Sequence, residues 1–277
     1  MMAHPLEVLP EGAVLAPARR WSGHWREAGE DALAEEVPVA LVFNGISHAV
    51  MMATPTDLED FALGFALTEG LIETAAELYG VEAVRVPAGM EVRLDVAAAC
   101  AWRLKERRRT LAGRTGCGLC GIDSLAQVRR ALPAVPAVSV PAAAVARAEQ
   151  SLREWQHLQH FTGSTHAAAW ADLGGNILLA REDVGRHNAL DKLVGALTKA
   201  RIDTRGGFVL VTSRASFEMV QKTVALGAGL LAAVSAPTAW AVACAQEANL
   251  CVAGFVREGG LTAYTFAERL MCSAGRD

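Results

Sequence analysis

Apolar and polar positions follow two rhythms along this chain. The run VPVALVFNGISHAVMMATP, beginning at Val37, gives two apolar strands around Asn44-Gly45, a dipeptide that favours a two-residue hairpin turn. Thr54-Pro55-Thr56-Asp57 then opens a helix. Thr54 or Thr56 can cap it, acids fill its first turn, and Phe61, Phe65, Leu67 and Leu71 form its apolar face. VEAVRVPAGMEVRLDVA predicts a second hairpin turned at Pro87-Ala88-Gly89. Ahead of these, residues 1–35 carry proline, glycine and both charges without a period, which predicts an irregular arm.

A second rhythm begins after PAVPAVSVPAA, whose three prolines mark a candidate linker. A long helix is predicted from Ala142 to His160, with strands at His166–Trp170 and Asn176–Ala180. A helix at His187–Ala200, a strand at Phe208–Val211, a helix through Met219–Leu226 and a strand at Leu230–Val234 follow. A helix from Pro237 and a strand at Leu250–Phe255 complete the series. Such strand–helix alternation predicts a layered α/β domain with a mostly parallel sheet. The division expected is an arm (1–35), a smaller α+β amino-terminal domain (36–140) and an α/β carboxyl-terminal domain (141–277).

Composition narrows the function classes. The 277 residues are 52% hydrophobic, enough for a large core, and the net charge of −4 points to no polyanionic partner. Aromatics at 6% argue against a base-stacking surface, so nucleic acid is not expected. The opening residues lack the basic region and apolar core of a signal peptide. The longest apolar run is broken by glycines and Pro237, so no membrane span is expected and the cytoplasm is the expected compartment. Six cysteines are too few for a disulfide scaffold, and Cys100, Cys244 and Cys251 read as buried small hydrophobes.

Cys117 and Cys120 stand apart, in RTGCGLCG. One such pair lacks the second pair, or the two histidines, that a structural zinc requires, so no metal is expected; His157 and His160 read as surface residues of a helix. Five of the ten residues from Lys105 to Arg114 are cationic, and cationic neighbours lower a thiol pKa into the range of reactive cysteines. The flanking glycines suit a thiol that visits two partners. The residues leave three readings open: a sulfur-carrying thiol, a thiol–disulfide oxidoreductase, or two structural thiols beside a solvated charged edge.

Several strand-to-helix junctions in the second half could meet an anion. Arg186 and His187 in REDVGRHNALDKLVG fall near a helix start, where Asp191 and Lys192 are expected to pair with neighbours. Ser213, Arg214 and Ser216 in VTSRASFE follow a strand, as does VSAPTAW, and GFVREGG (Gly254–Gly260) can bring backbone donors and Arg257 to a ligand. Each is equally readable as an ordinary capped turn.

In order, NG at 44–45, TPTDLEDFALGFALTEGLI, CGLCG, GSTHAAA, EDVGRHNALDKLVG, SRASFEMVQK, SAPTAWAVACA and GFVREGG resemble the FdhD/NarQ family of formate dehydrogenase accessory sulfurtransferases. The resemblance runs from about Val37 to Tyr264. It implies a carboxyl-terminal domain with the three-layer α/β/α fold of cytidine deaminases, without their zinc motif, and a homodimer. It implies that sulfur is accepted from a cysteine desulfurase as a persulfide on Cys117, assisted by Cys120. The recipient implied is the bis-molybdopterin guanine dinucleotide cofactor of formate dehydrogenase. Its guanine nucleotide would meet Phe255, Val256, Arg257, Glu258, Gly259 and Gly260; Arg214 and His187, read from the junctions above, complete the candidate cofactor-binding set. Gly116 departs from the small polar residue expected before the first cysteine. A cofactor-binding chaperone with incidental cysteines is the competing class.

Overall fold

The computed structural model describes residues 8–100, 102–105 and 132–272. Cys117, Cys120 and most of the basic segment lie outside them.

From Ala13 to Ala34 the expected irregular arm is instead regular. Strands β1 (Ala13–Trp21) and β2 (Trp25–Ala34) pair antiparallel as a separate two-stranded ribbon. Its pattern was hidden because both faces of the ribbon are largely in solvent, so apolar alternation never develops.

The amino-terminal unit is a four-stranded sheet in the order β4-β3-β6-β5, with β3 at Val37–Phe43, β4 at Ile46–Ala53, β5 at Leu78–Val86 and β6 at Gly89–Val96. Both predicted hairpins are present, and Asn44 and Gly45 take the positive φ angles of 46° and 79° that a primed turn demands. Helix α1 (Leu58–Thr68) covers one face of this sheet, burying Phe61 and Leu63 against Leu41, Phe43, Val92 and Leu94. Neither threonine caps it. Asp57 takes the N-cap position, and both threonines are engaged elsewhere.

The second unit centres on a six-stranded sheet in the order β13-β12-β11-β10-β8-β9. Its strands are β8 (His166–Asp172), β9 (Ile177–Asp183), β10 (Gly207–Val211), β11 (Leu230–Ala233), β12 (Cys251–Arg257) and β13 (Gly260–Thr265). Only β10–β11 and β11–β12 run parallel, while β8, β9 and β13 pair antiparallel with their neighbours. The sheet is therefore mixed, not mostly parallel. The central strands alternate between two cores: Val209, Leu231 and Val252 face one, Phe208, Leu210 and Leu230 the other. Helices α4 (Arg186–Lys199), α5 (Phe217–Leu226) and α6 (Ala239–Glu247) cover the first face, and α2 (Ala142–Leu152) the second.

Two further expectations shift. The helix predicted at 142–160 stops at Leu152, passes through a 3-10 turn at Arg153–Trp155, and restarts as α3 (His157–Thr162). The proline run is no free linker. Val135 and Val138 are buried in the two cores of the layered unit, and Val140 and Pro141 form strand β7, which pairs parallel with β14 (Leu270–Met271).

The two units meet where α1 crosses α4. A β-carbon on Gly64 would overlap the backbone of Asp191 and Gly195, and one on Gly195 would overlap the backbone of Asp60. Only glycine at both positions permits this approach. Two buried ion pairs lock the joint. Lys192 Nζ lies 2.7 Å from Asp183 and donates to the Thr54 carbonyl at 3.0 Å, while the Asp183 carboxylate accepts the amides of Thr54 and Gly185 and the side chain of Asn188. Lys222 lies 2.9 Å from Asp191 and donates to Thr68 and Glu69, both at the end of α1. Among the described residues no helix is long and apolar enough to cross a membrane.

Candidate functional site

The parallel strands β10, β11 and β12 release the chain at one end of the sheet. Antiparallel pairing brings the start of β8 and the end of β9 to the same end, where His166 faces Asp183. All the candidate loops of the second unit therefore gather at one edge. They are knitted together: Ala215 bridges Pro237, the Thr238 amide donates to the Ala215 carbonyl at 3.0 Å, and the Phe255 amide donates to the Ser235 carbonyl at 3.2 Å. Thr238 caps α6 by accepting the Ala241 amide, so that helix starts at Ala239, two residues after the predicted start at Pro237.

The segment 255–260 is held in an unusual shape. Phe255 and Glu258 have φ angles of 51° and 53°, and Gly259 has 78°. Non-glycine residues rarely accept that region, at a cost of about 1 kcal/mol or more each. Buried Val256 anchors the segment between them. The result turns Phe255 outward, 38% exposed, with the Arg257 guanidinium 5.6 Å from its ring centre. A planar cation over an exposed ring is a platform suited to a flat heterocycle. Arg214 stands exposed on the β10 loop, two strands away, or about 10 Å at the usual strand spacing.

At the start of α4, Arg186 Nε and His187 Nε2 are buried without a hydrogen-bond partner. Burial, with Arg186 and Lys222 nearby, lowers the His187 pKa to about 4, so its imidazole is neutral at physiological pH. The Glu218 carboxylate lies 3.9 Å from it and accepts the Ser216 hydroxyl at 2.7 Å. Ser216 thus occupies the N-cap position of α5 without capping it. Burial works to raise Glu218, but that hydroxyl, its own backbone and His187 hold it below the usual carboxylate range. His166 is likewise held low, by burial and then by Arg186.

Beside His166 opens a cleft of about 660 Å³, lined by Arg153, His160, Ser164, Thr165 and Thr212 among others. Two acids beside it are already committed: Asp183 is paired with Lys192, and Glu182 accepts the Leu158 and Gln159 amides and the Thr165 hydroxyl, fastening α3 and the Gly163–Thr165 turn to β9. Arg153, Arg186, Arg214 and Arg257 form no ion pair among the described residues. The edge therefore holds four arginines without ion pairs, with the exposed Glu258 among them, an arrangement that can receive anions.

Against this geometry stand the relatives. The sequence model of the FdhD/NarQ family matches residues 34–271. The chain belongs to the FdhD/NarQ family. Two curated relatives are named sulfur carrier protein FdhD. That of Bordetella petrii is 57% identical over 241 residues, 87% of each chain, and that of Variovorax paradoxus is 57% identical over 262 residues, 94% of each. The crystal structure of a putative formate dehydrogenase accessory protein from Desulfotalea psychrophila superposes with a TM-score of 0.74 at 21% identity, covering 94% of this chain and 99% of that one. That likeness establishes a shared fold.

Among the expected cofactor-binding residues, His187, Arg214 and the 255–260 segment share one edge, as adjoining but distinct surfaces. Arg153, His166 and Thr212 join the edge without having been expected. His166 lies in GSTHAAA, but nothing in that run distinguishes a cleft histidine from one on a plain strand. Cys100, Cys244 and Cys251 are buried, as expected. Burial pushes the Cys251 thiol up to about 11, so it is inert as a nucleophile at neutral pH. Among the described residues no group of three or more histidine, cysteine, aspartate or glutamate side chains could hold a metal.

Proposed function

We propose that this protein is a sulfur carrier in formate dehydrogenase maturation, moving sulfane sulfur from a cysteine desulfurase to the bis-molybdopterin guanine dinucleotide cofactor. The carrying observation is the 57% identity, across 87% of both chains, with a curated sulfur carrier. In this reading the Cys117 thiolate attacks the terminal sulfur of the desulfurase persulfide. The sulfur–sulfur bond there breaks, the donor cysteine leaves as a thiolate, and Cys117 holds the new persulfide. The Cys120 thiolate then attacks the inner sulfur, hydrosulfide departs for the cofactor, and a Cys117–Cys120 disulfide remains for a cellular dithiol to reduce.

The cofactor is cargo in this scheme, and its guanine nucleotide is assigned to Phe255–Gly260. The exposed Phe255–Arg257 platform supports that assignment, and the arginines without ion pairs support phosphate recognition beside it. Arg214 is assigned to phosphate. His187, neutral at physiological pH, is assigned a hydrogen bond instead of a charge. The same reading includes a cytoplasmic homodimer and deaminase-like layering of the second unit.

Incubation with a desulfurase and cysteine, followed by mass spectrometry, tests the reading. A gain of one sulfur on the Cys117 peptide is expected, together with loss of formate dehydrogenase activity in cells carrying only C117A. Full rescue by C117A would remove the sulfur-carrier assignment and leave a cofactor-binding chaperone. Insulin reduction independent of a desulfurase would instead favour a thiol–disulfide oxidoreductase.

A further inference from the structure

The cleft beside His166 takes no part in the assignments above. At about 660 Å³ it has the size of a small-molecule site and far exceeds what a lone anion fills. Its lining side chains are all polar, and none is a carboxylate.

Hydrogen bonds already made fix what the cleft still offers. The Gln159 carboxamide oxygen accepts the Thr165 amide at 2.8 Å, which sets the orientation of that group and turns its NH2 away from Thr165 with the donors unspent. Gln156 sits at the N-cap position of α3, three residues before Gln159, so the two lie on one side of the helix. Its carboxamide makes no hydrogen bond among the described residues, which leaves a donor and an acceptor side by side. Thr212 is spent on the Ala167 backbone, and the Thr165 hydroxyl on Glu182. His160 and His166 add flat rings of the kind on which heterocycles stack. The free groups therefore suit a flat ring edged by a lactam. Gln156 can pair with its N–H and carbonyl together, and the fixed Gln159 donors require an acceptor there.

Position narrows the ligand. The strand order β12-β11-β10-β8 sets the cleft three strand spacings, about 14 Å, from the Phe255–Arg257 platform, with exposed Arg214 of the β10 loop in between. Two ring sites flanking a cation suit a molecule with a ring at each end and a diphosphate between them. We propose that the cleft seats the pterin end of the cargo whose guanine lies on Phe255–Arg257, with Gln159 donating to the pterin carbonyl and Gln156 pairing with its lactam edge. This rests on the cargo assigned above and adds the place, and the readers, of its other end.

Fluorescence titration of the full chain with free pterin, and calorimetry with GDP, test the subsite. Wild type is expected to bind both together. It should prefer pterin by about tenfold or more over the diaminopteridine in which an amino group replaces the carbonyl, because that group would meet the Gln159 donors unpaired. Q159L should erase this preference, a change that loosening of the Thr165 turn alone would not produce. Q156L should weaken pterin about tenfold. Neither variant should alter GDP affinity, and F255A should weaken GDP while sparing pterin. A wild type that binds no pterin, competition between pterin and GDP for one place, or equal affinity for the two pteridines would each overturn the proposal. Cys117 persulfide formation reads the sulfur-carrier assignment separately, so its failure with pterin still selected by Gln159 would strike that assignment and leave the subsite standing.

Discussion

Replacing Lys222 with methionine probes how the two units are held together. The ammonium group lies 2.9 Å from both Asp191 oxygens, donates to Thr68 at 3.0 Å and Glu69 at 3.2 Å, and sits 5.7 Å from the centre of the Phe65 ring. Methionine keeps most of the volume and removes the charge, leaving the buried Asp191 carboxylate with the Thr68 hydroxyl. Breaking one partner of such a pair costs about 3–5 kcal/mol, and we expect that loss at pH 7.5. The pH dependence makes the prediction specific. Burial, opposed by Lys222 and Thr68, already raises Asp191 from 3.8 to about 6 in the wild type, and without the cation it rises further. A carboxyl raised in the folded state binds more protons there than in the unfolded chain. Its contribution therefore falls as pH climbs from the unfolded to the folded value, by up to about 1.4 kcal/mol per unit. The wild-type slope ends near pH 6 and the variant's continues. The variant's deficit should thus be up to about 2 kcal/mol larger at pH 7.5 than at pH 5. For Lys222 itself, burial works to lower the pKa, but Asp191 and Glu69 outweigh it and hold the value above 10.5, outside this window. Urea unfolding followed by the fluorescence of buried Trp170 measures the deficit at each pH. A deficit below 1 kcal/mol at pH 7.5, or equal deficits at both pH values, would refute the reasoning.

Other perturbations read different parts of the molecule. G64A or G195A should each cost about 2–3 kcal/mol in unfolding free energy, because the added methyl meets backbone across the α1–α4 crossing; near-wild-type stability would mean the helices can part without penalty. The His187 imidazole should titrate near pH 4 by NMR, and a midpoint near 6.5 would contradict its burial beside Arg186. With its folded pKa depressed, this histidine removes stability as pH falls from about 6.5 to 4. E182Q should weaken the anchor of α3 by about 1–2 kcal/mol, read as faster hydrogen exchange at the Leu158 and Gln159 amides relative to β10; unchanged exchange would show that α3 is held by other contacts.

Local physics made much of the fold legible in the sequence. Asn44-Gly45 specifies its turn because both residues tolerate positive φ, and the strand–helix alternation after Pro141 follows from burial of the central sheet on both faces. Strand direction did not follow, because an apolar run carries no sign of its partner. β8 and β9 pair as a hairpin around Gly174-Gly175, so antiparallel strands enter a sheet whose parallel part was expected to dominate. The threonines before α1 looked like caps because capping is local, yet Thr54 and Thr56 serve partners more than a hundred residues away. Asp191 and Lys192 are adjacent in sequence but point to different partners, Lys222 and Asp183, which no spacing rule could assign. The candidate edge was legible as separate loops and not as a place, since only the strand order brings His187, Arg214 and Phe255 to one end.

The allocation of charge links the joint to the edge. Asp60, Asp183 and Asp191 are each paired with a cation inside or beside the α1–α4 joint, and Glu182 fastens α3. Asp191 shares α4 with Arg186 and His187, and Glu182 and Asp183 end β9 beside the cleft; each is committed to structure. What the folded body leaves at the end of its sheet is accordingly cationic, although the chain as a whole carries a charge of −4. An anionic cargo would meet arginines beside which Glu182, Asp183 and Asp191 are already committed to other partners. A mutation that frees one of these acids, as K192M would free Asp183, should therefore weaken binding of a guanine nucleotide, measured by calorimetry, as well as stability, even though Lys192 itself is fully buried.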